Sequence, residues 1–211
     1  MINYITMRKK DDRPEHVKEF VGKYEDQNPI SQYLVNNFYK NLNQLIPREP
    51  LEVLEVGCGA GLSAERIIPM LPVGSTFAGS DLLSDLTDLA SQRNPGISFT
   101  TESAYDLQHE NNSFDLVFGL EMLEHLDEPK KALTEMARVS RKYLLLSVPR
   151  EPIWRMLNMA RFKYLSYLGN TPGHLNHSST RGFEKFVSSV GTVKAVRTPL
   201  PWTQVLIELN K

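Results

Sequence analysis

Leu51-Glu-Val-Leu-Glu-Val-Gly-Cys-Gly-Ala-Gly-Leu-Ser63 decides the fold of this 211-residue chain. Leu51, Val53, Leu54 and Val56 are apolar, as a short buried strand requires. Gly57, Gly59 and Gly61 follow at once, and a helical pattern begins near Leu62. Strand, glycine turn, helix is how a parallel α/β sheet brings its backbone against a nucleotide-like ligand. A Cβ in such a turn would block close approach or strain a positive φ.

The flanks narrow the reading. Thr76 to Ser80 reads as a second strand with Asp81 at its carboxyl end. Residues 51–81 therefore form one βαβ unit of the usual length, about 30 residues. An acidic residue there accepts hydrogen bonds from both hydroxyls of a ribose. The nicotinamide-binding turn G-x-G-x-x-G/A needs a small residue at position 62, where this chain has Leu62. The spacing here is G-x-G-x-G, with Glu55 inside the strand.

That pattern, L-E-V-G-C-G-A-G with Asp81 downstream, resembles class I S-adenosylmethionine-dependent methyltransferases, nearest to the small-molecule enzymes of quinone biosynthesis. The resemblance implies S-adenosylmethionine as cofactor. Gly57, Cys58, Gly59 and Gly61 would form its cradle, with Glu55 ordering the loop or the amino end of the methionine. Asp81 would hold the ribose and Leu82 the adenine face, and Leu120 would close the site from the fourth strand. In the family an Asp after the third strand often holds the adenine amino group. That position is Ser103 here, which leaves backbone contacts from Ala104 or Tyr105.

The rest of the chain alternates. Strands are expected near 53–56, 76–80, 97–101, 114–119 and 142–148, and helices near 62–70, 84–92, 121–125, 130–140 and 180–190. Such alternation predicts a doubly wound, mostly parallel sheet in an α/β, Rossmann-like fold. The last strands, near 193–197 and 203–209, are joined by Thr198 to Trp202 alone. A parallel crossover needs a dozen or more residues, so this pair is antiparallel. A seven-stranded sheet ending in an antiparallel hairpin agrees with the methyltransferase resemblance and not with a nicotinamide dehydrogenase. Ahead of the first strand, helices are expected within 14–46. One lies near Glu15 to Tyr24, and one starts at Asn28-Pro29, an N-cap followed by proline at the first helical position. Residues 1–211 read as one domain, interrupted by a helical lid insertion over 149–179.

Composition sets bounds. No apolar run approaches transmembrane length, and the first residues lack a signal-peptide apolar core. A single cysteine, Cys58, excludes an internal disulfide and zinc-thiolate clusters and suits a cytoplasmic protein. The net charge of −1 hides an asymmetry. Residues 1–129 hold 10 Lys+Arg against 21 Asp+Glu, and residues 130–211 hold 14 against 4. A segregated basic half either neutralises the acidic half across the fold or faces an anionic partner.

Two segments carry the remaining chemistry. In Gly119-Leu-Glu-Met-Leu-Glu-His-Leu126, a helix would place Glu121, Glu124 and His125 on one face. Two carboxylates and an imidazole there suit general base work or a divalent metal. The E-x-x-E-H run resembles two metal-using branches of the family, the quinone-biosynthesis O-methyltransferases and the small-RNA 2′-O-methyltransferases. The latter add a later histidine, for which His174 and His177 are candidates. The same residues in a purely structural role would cap a helix and support the core. In the insertion, Ile153, Met156, Leu157, Ala160, Tyr164, Tyr167 and Leu168 share one side of a helix expected over Pro152–Gly169. Arg155, Asn158, Lys163 and Ser166 lie opposite, with Met159 and Phe162. A basic amphipathic helix covers the sheet edge, caps a substrate pocket, or lies peripherally on a membrane surface.

No [Asp/Asn]-Pro-Pro-[Tyr/Phe] follows the fourth strand, so the pattern for nucleobase amino groups is missing. The expected function is methyl transfer from S-adenosylmethionine to a small-molecule acceptor, through an oxygen nucleophile, by a monomer or homodimer. The acceptor would be anionic or membrane-dissolved, and nucleic acid carries no strong signal. Alternatives are an RNA or other anionic-polymer 2′-O-methyltransferase and a non-catalytic, cofactor-binding partner subunit.

Overall fold

The computed structural model describes residues 28–211. The helix expected near Glu15–Tyr24 lies outside them. Helix α1 spans Pro29–Asn43, with the Asn28 side chain accepting from the Ile30 N–H at 2.9 Å. The cap and Pro29 together satisfy the first turn, as the sequence predicts.

Seven strands among the described residues form one sheet in the order β3-β2-β1-β4-β5-β7-β6. They are β1 Glu52–Val56, β2 Thr76–Asp81, β3 Ser98–Thr101, β4 Phe114–Leu120, β5 Ser140–Pro149, β6 Gly191–Arg197 and β7 Trp202–Leu209. The pairings β1–β2, β2–β3, β1–β4 and β4–β5 are parallel, and β5–β7 and β6–β7 are antiparallel. The crossovers are α2 Leu62–Ile67 with a 3-10 turn at Ile68–Met70, α3 Ser84–Arg93 and α4 Pro129–Val139. Two further helices, α5 Ile153–Ala160 and α6 Thr180–Val187, follow β5.

Alternate residues of the central strands feed two cores, as strand geometry dictates. Leu144 and Leu146 of β5 join Leu133 and Met136 of α4 and Phe183 of α6. Leu145, between them, joins Phe38 and Leu42 of α1 and Ile67 of α2. Some of the charge asymmetry cancels across the fold. Arg141 bridges Asp115 and Glu52, and Lys142 pairs with Glu49. Asp115 also accepts from the Glu52 N–H, so it ties β4 to β1.

Two expectations need correction. The helix over 121–125 is only a 3-10 turn, Leu123–His125. Glu121 has φ +55, and its N–H donates to the Ser147 carbonyl, so the β4–β5 ladder holds it one residue past the strand. The helix over 152–169 stops at Ala160, because Phe162 and Tyr164 turn left-handed. Its faces also differ. Asn158 is buried, donating to the Gly169 carbonyl and the Thr171 hydroxyl, whereas Met156 is exposed.

Leu144 and Leu145 test whether both faces are covered. Each is fully buried, so Leu144→Ala and Leu145→Ala should each destabilise by about 2–5 kcal/mol in urea unfolding. A solvent-facing position would lose well under 1 kcal/mol.

Candidate active site

Parallel register brings the ends of three strands together. Val56 pairs with Ser80 on one side and Gly119 on the other. The glycine turn, Asp81 and the residues after Leu120 therefore share the carboxyl edge, where open parallel sheets bind ligands.

The turn is held by backbone. The N–H groups of Gly57 and Cys58 both donate to the Ser80 carbonyl, at 2.8 and 2.9 Å. Gly61 has φ +73, and a Cβ there would stand 2.6 Å from Asn94 Nδ2 and 3.0 Å from Ala90. Asn94 in turn donates to the Gly61 carbonyl at 3.1 Å. Asp81 accepts from the Gly59 N–H at 2.9 Å and the Leu83 N–H at 3.1 Å, one bond per carboxylate oxygen. Each oxygen keeps a further lone pair for a ligand. Leu82 is 67% exposed beside it.

Glu55 lies beneath the turn. Burial pushes its carboxyl up to about 7, Ser63 opposes this by hydrogen bonding, and Asp81 adds to it. Its Oε2 is buried without a hydrogen-bond partner among the described residues. Burial, then the charges of Glu55 and Asp81, push the Cys58 thiol well up, so it is no nucleophile. After β3, the Ser103 hydroxyl accepts from the Tyr105 N–H, and the Tyr105 hydroxyl donates to Asp127. Ala104 and Tyr105 are partly buried against the core.

Beyond β4 the acids separate into two environments. The Glu121 carboxylate accepts from the Ser147 hydroxyl at 2.8 Å, and Leu120 beside it is half-buried. Burial pushes Glu121 up to about 8, opposed by Ser147 and by the nearby Trp202 indole. Glu124 is 2% exposed, and burial, then the Glu121 charge, raise its carboxyl well above the usual range. Glu124, His125 and His174 offer ligand atoms all within 4.8 Å of one another. Glu121 is outside that group. His125 Nδ1 stands 3.0 Å from the Gly173 carbonyl, which can only accept. A neutral ring therefore carries its proton on Nδ1 and keeps Nε2 as acceptor. His174 packs edge-on to His125 at 4.9 Å and stacks on Trp154 at 5.8 Å.

His177 does not join the group. Its Nδ1 lies 3.6 Å from Glu151. Three supporting residues carry no such role in the sequence reading: Ser147, Asn158, which is expected on the polar side of its helix but is buried, and Asn94. The first two were visible as polar breaks in apolar patterns, the Leu144-Leu-Leu-Ser-Val run and α5.

The buried Glu55 predicts a pH signature. It binds a proton in the folded state up to about 7 and loses it earlier when unfolded. Stability should fall as pH rises from about 4.5 to about 7, by at most about 1.4 kcal/mol per unit per group. Glu55→Gln should flatten that part of a Tm-versus-pH profile and raise Tm at pH 8. An unchanged slope would contradict the assignment.

Residues 54–144 match a family model described as a methyltransferase domain. The ubiquinone biosynthesis O-methyltransferase of Bartonella tribocorum is 28% identical over 123 residues, 56% of this chain and 49% of that protein. The ubiquinone biosynthesis O-methyltransferase of Agrobacterium fabrum is 32% identical over 123 residues, 54% of this chain and 48% of that protein. The chain spans about half the length of the curated relatives it matches. A SAM dependent methyltransferase from Aquifex aeolicus superposes with a TM-score of 0.71 at 18% identity, covering 90% of this chain and 97% of that one. The magnesium protoporphyrin IX methyltransferase from Synechocystis PCC 6803 with bound SAH gives 0.67 at 16% identity, over 92% and 94%. At these identities the solved structures establish the fold alone.

Proposed function

We propose that this chain is a class I S-adenosylmethionine-dependent methyltransferase that moves the methyl group of that cofactor to an oxygen nucleophile on a small, membrane-dissolved acceptor. The observation that carries the reading is adjacency. The glycine turn after β1 and the Glu124–His125–His174 group after β4 sit at the ends of neighbouring strands.

The turn fits the cofactor. Its left-handed glycines leave room for close backbone approach, and the buried Glu55 Oε2 lacks a partner. Gly57, Cys58, Gly59 and Gly61 would cradle it, with Asp81 on the ribose hydroxyls. Glu55 would sit at the amino end, and Leu82, Ala104, Tyr105 and Leu120 around the remainder. When bound, the cofactor supplies an electrophilic methyl on a sulfonium. The protein's own task is then to orient the acceptor and remove its proton.

His125, with Nε2 as acceptor, takes that proton in this reading, and the Gly173 carbonyl fixes its tautomer. His174, stacked on Trp154, walls the acceptor side. Glu121 stands behind, held by Ser147. The donor set of Glu124, His125 and His174 also fits a divalent cation, with mixed nitrogen and oxygen ligands. Such an ion would lower the acceptor hydroxyl's pKa and orient it. Residues 149–179 act as a lid that excludes water, with Gly169 and Gly173 as its hinge points. The relatives named for ubiquinone biosynthesis support an apolar acceptor. A lone, buried cysteine supports a cytoplasmic setting, and the chain would work as monomer or homodimer. No helix among the described residues is long and apolar enough to cross a membrane.

Cofactor binding is measured by titration calorimetry. S-adenosylmethionine or its demethylated product should bind, and Asp81→Ala should weaken binding by about 1.5–3 kcal/mol, roughly 10- to 150-fold. No heat with either ligand, while NADH binds, would sink the reading.

The cation is measured through Trp154. Manganese added to metal-stripped protein should change tryptophan fluorescence, because His174 stacks on that indole. His174→Ala should abolish the response. No change with manganese or magnesium leaves His125 to act alone, and His125→Ala should then lower turnover by 100-fold or more, on the order expected for a lost general base.

A further inference from the structure

A surface on the segment between β5 and α6 takes no part in the sheet or the glycine turn. From Pro152 to Phe183 the sequence contains Arg155, Arg161, Lys163 and Arg181 and no Asp or Glu. After α5 ends, the chain exposes Phe162 at 84%, Leu165 at 52%, Tyr167 at 64% and Leu168 at 68%. Met156 on α5 is exposed as well. The two stretches are joined: Arg155 Nε donates to the Leu168 carbonyl at 3.0 Å, and Gly169 packs on the Arg155 backbone and the Met159 side chain. Apolar side chains scattered singly over a surface are ordinary. A contiguous group rimmed by cations is the kind of patch that marks an interaction site.

The backbone holds this group outward. Phe162, Tyr164 and Leu168 have φ of 56, 54 and 50, a left-handed conformation that bulky residues rarely adopt. It persists only where the surroundings enforce it. Here the Tyr164 carbonyl accepts from the N–H groups of both Tyr167 and Gly169, and the Leu165 carbonyl accepts from Leu168. The resulting knuckle displays Phe162 between exposed Arg161 and Lys163.

Charge and side-chain type select the occupant. A second copy of the same surface would bring cation against cation. Nucleic acid would use the cations, but the aliphatic Leu165, Leu168 and Met156 offer it no stacking face. The boundary of a bilayer takes aromatic and aliphatic side chains together, and anionic headgroups take Lys and Arg. We propose that this surface docks the protein on an anionic lipid bilayer. Phe162, Leu165 and Leu168 enter the headgroup–acyl boundary, and Arg161 and Lys163 lie against the headgroups. The docking rests on this surface alone and stands whether or not the chain transfers methyl groups.

Co-sedimentation of the full chain with vesicles tests it. The protein should pellet with phosphatidylcholine vesicles containing phosphatidylglycerol, several-fold more than with phosphatidylcholine alone, and less as salt is raised. Phe162→Gly should cut the bound fraction several-fold. Glycine suits the left-handed φ at that position, so the loss cannot come from a strained fold. An Arg161→Gln, Lys163→Gln double variant should remove most of the salt-sensitive part. Absence of pelleting with the mixed vesicles overturns the proposal. So does equal pelleting with both vesicle types by wild type and variants alike. Salt-sensitive retention on single-stranded RNA without vesicle binding, or a concentration-dependent dimer that Phe162→Gly abolishes without vesicle binding, would assign the surface to another occupant.

Discussion

Everything at the carboxyl edge of the sheet depends on a turn with no room for a side chain at Gly57 or Gly61. The Ser80 carbonyl receives two successive N–H groups from the turn, and Asp81 receives a third. A Cβ at Gly57 would crowd Met122 at 3.1 Å, and one at Gly61 would collide with Asn94. Met122 belongs to the segment that carries Glu121, Glu124 and His125. The turn thus fixes two things at once: the space for a cofactor and the distance from that space to the acids beyond β4.

The buried acids at this edge, Glu55 of β1 included, are expensive. Glu55, Glu121 and Glu124 are all withdrawn from water, and burial is the leading cause of every one of their raised pKa values. Buried carboxyls oppose stability unless something compensates the charge. Glu121 in addition occupies a left-handed φ of +55. Such a concentration of desolvated acids and backbone strain at one sheet edge is what a preorganised site requires, and a purely structural edge does not need it.

Much of the fold was legible because its signals are local and redundant. The apolar run before Gly57 predicts β1, Asn28-Pro29 predicts the start of α1, and the short link at 198–202 forces an antiparallel β6–β7 pair. The placement of the candidate cofactor residues at the strand ends was legible for the same reason. What was not legible depended on partners distant in sequence. Glu121 is drawn out of a helix by Ser147, 26 residues away. Periodicity predicts a helix after Pro152 that runs to Gly169, yet Asn158 turns inward to bind Gly169 and Thr171, and the chain breaks at Phe162. His174 and His177 were indistinguishable by spacing. Only the packing of Trp154 and the position of Glu151 separate them.

The central claim is that one cofactor lies across the ends of β1, β2 and β4. Hydrogen–deuterium exchange with and without S-adenosylhomocysteine reads that edge amide by amide. The account predicts slowed exchange at residues 57–63, 81–83 and 103–105, with a smaller effect at 120–125. No protection at the glycine turn, or protection confined to the opposite end of the sheet near Ile68–Phe77, would contradict it.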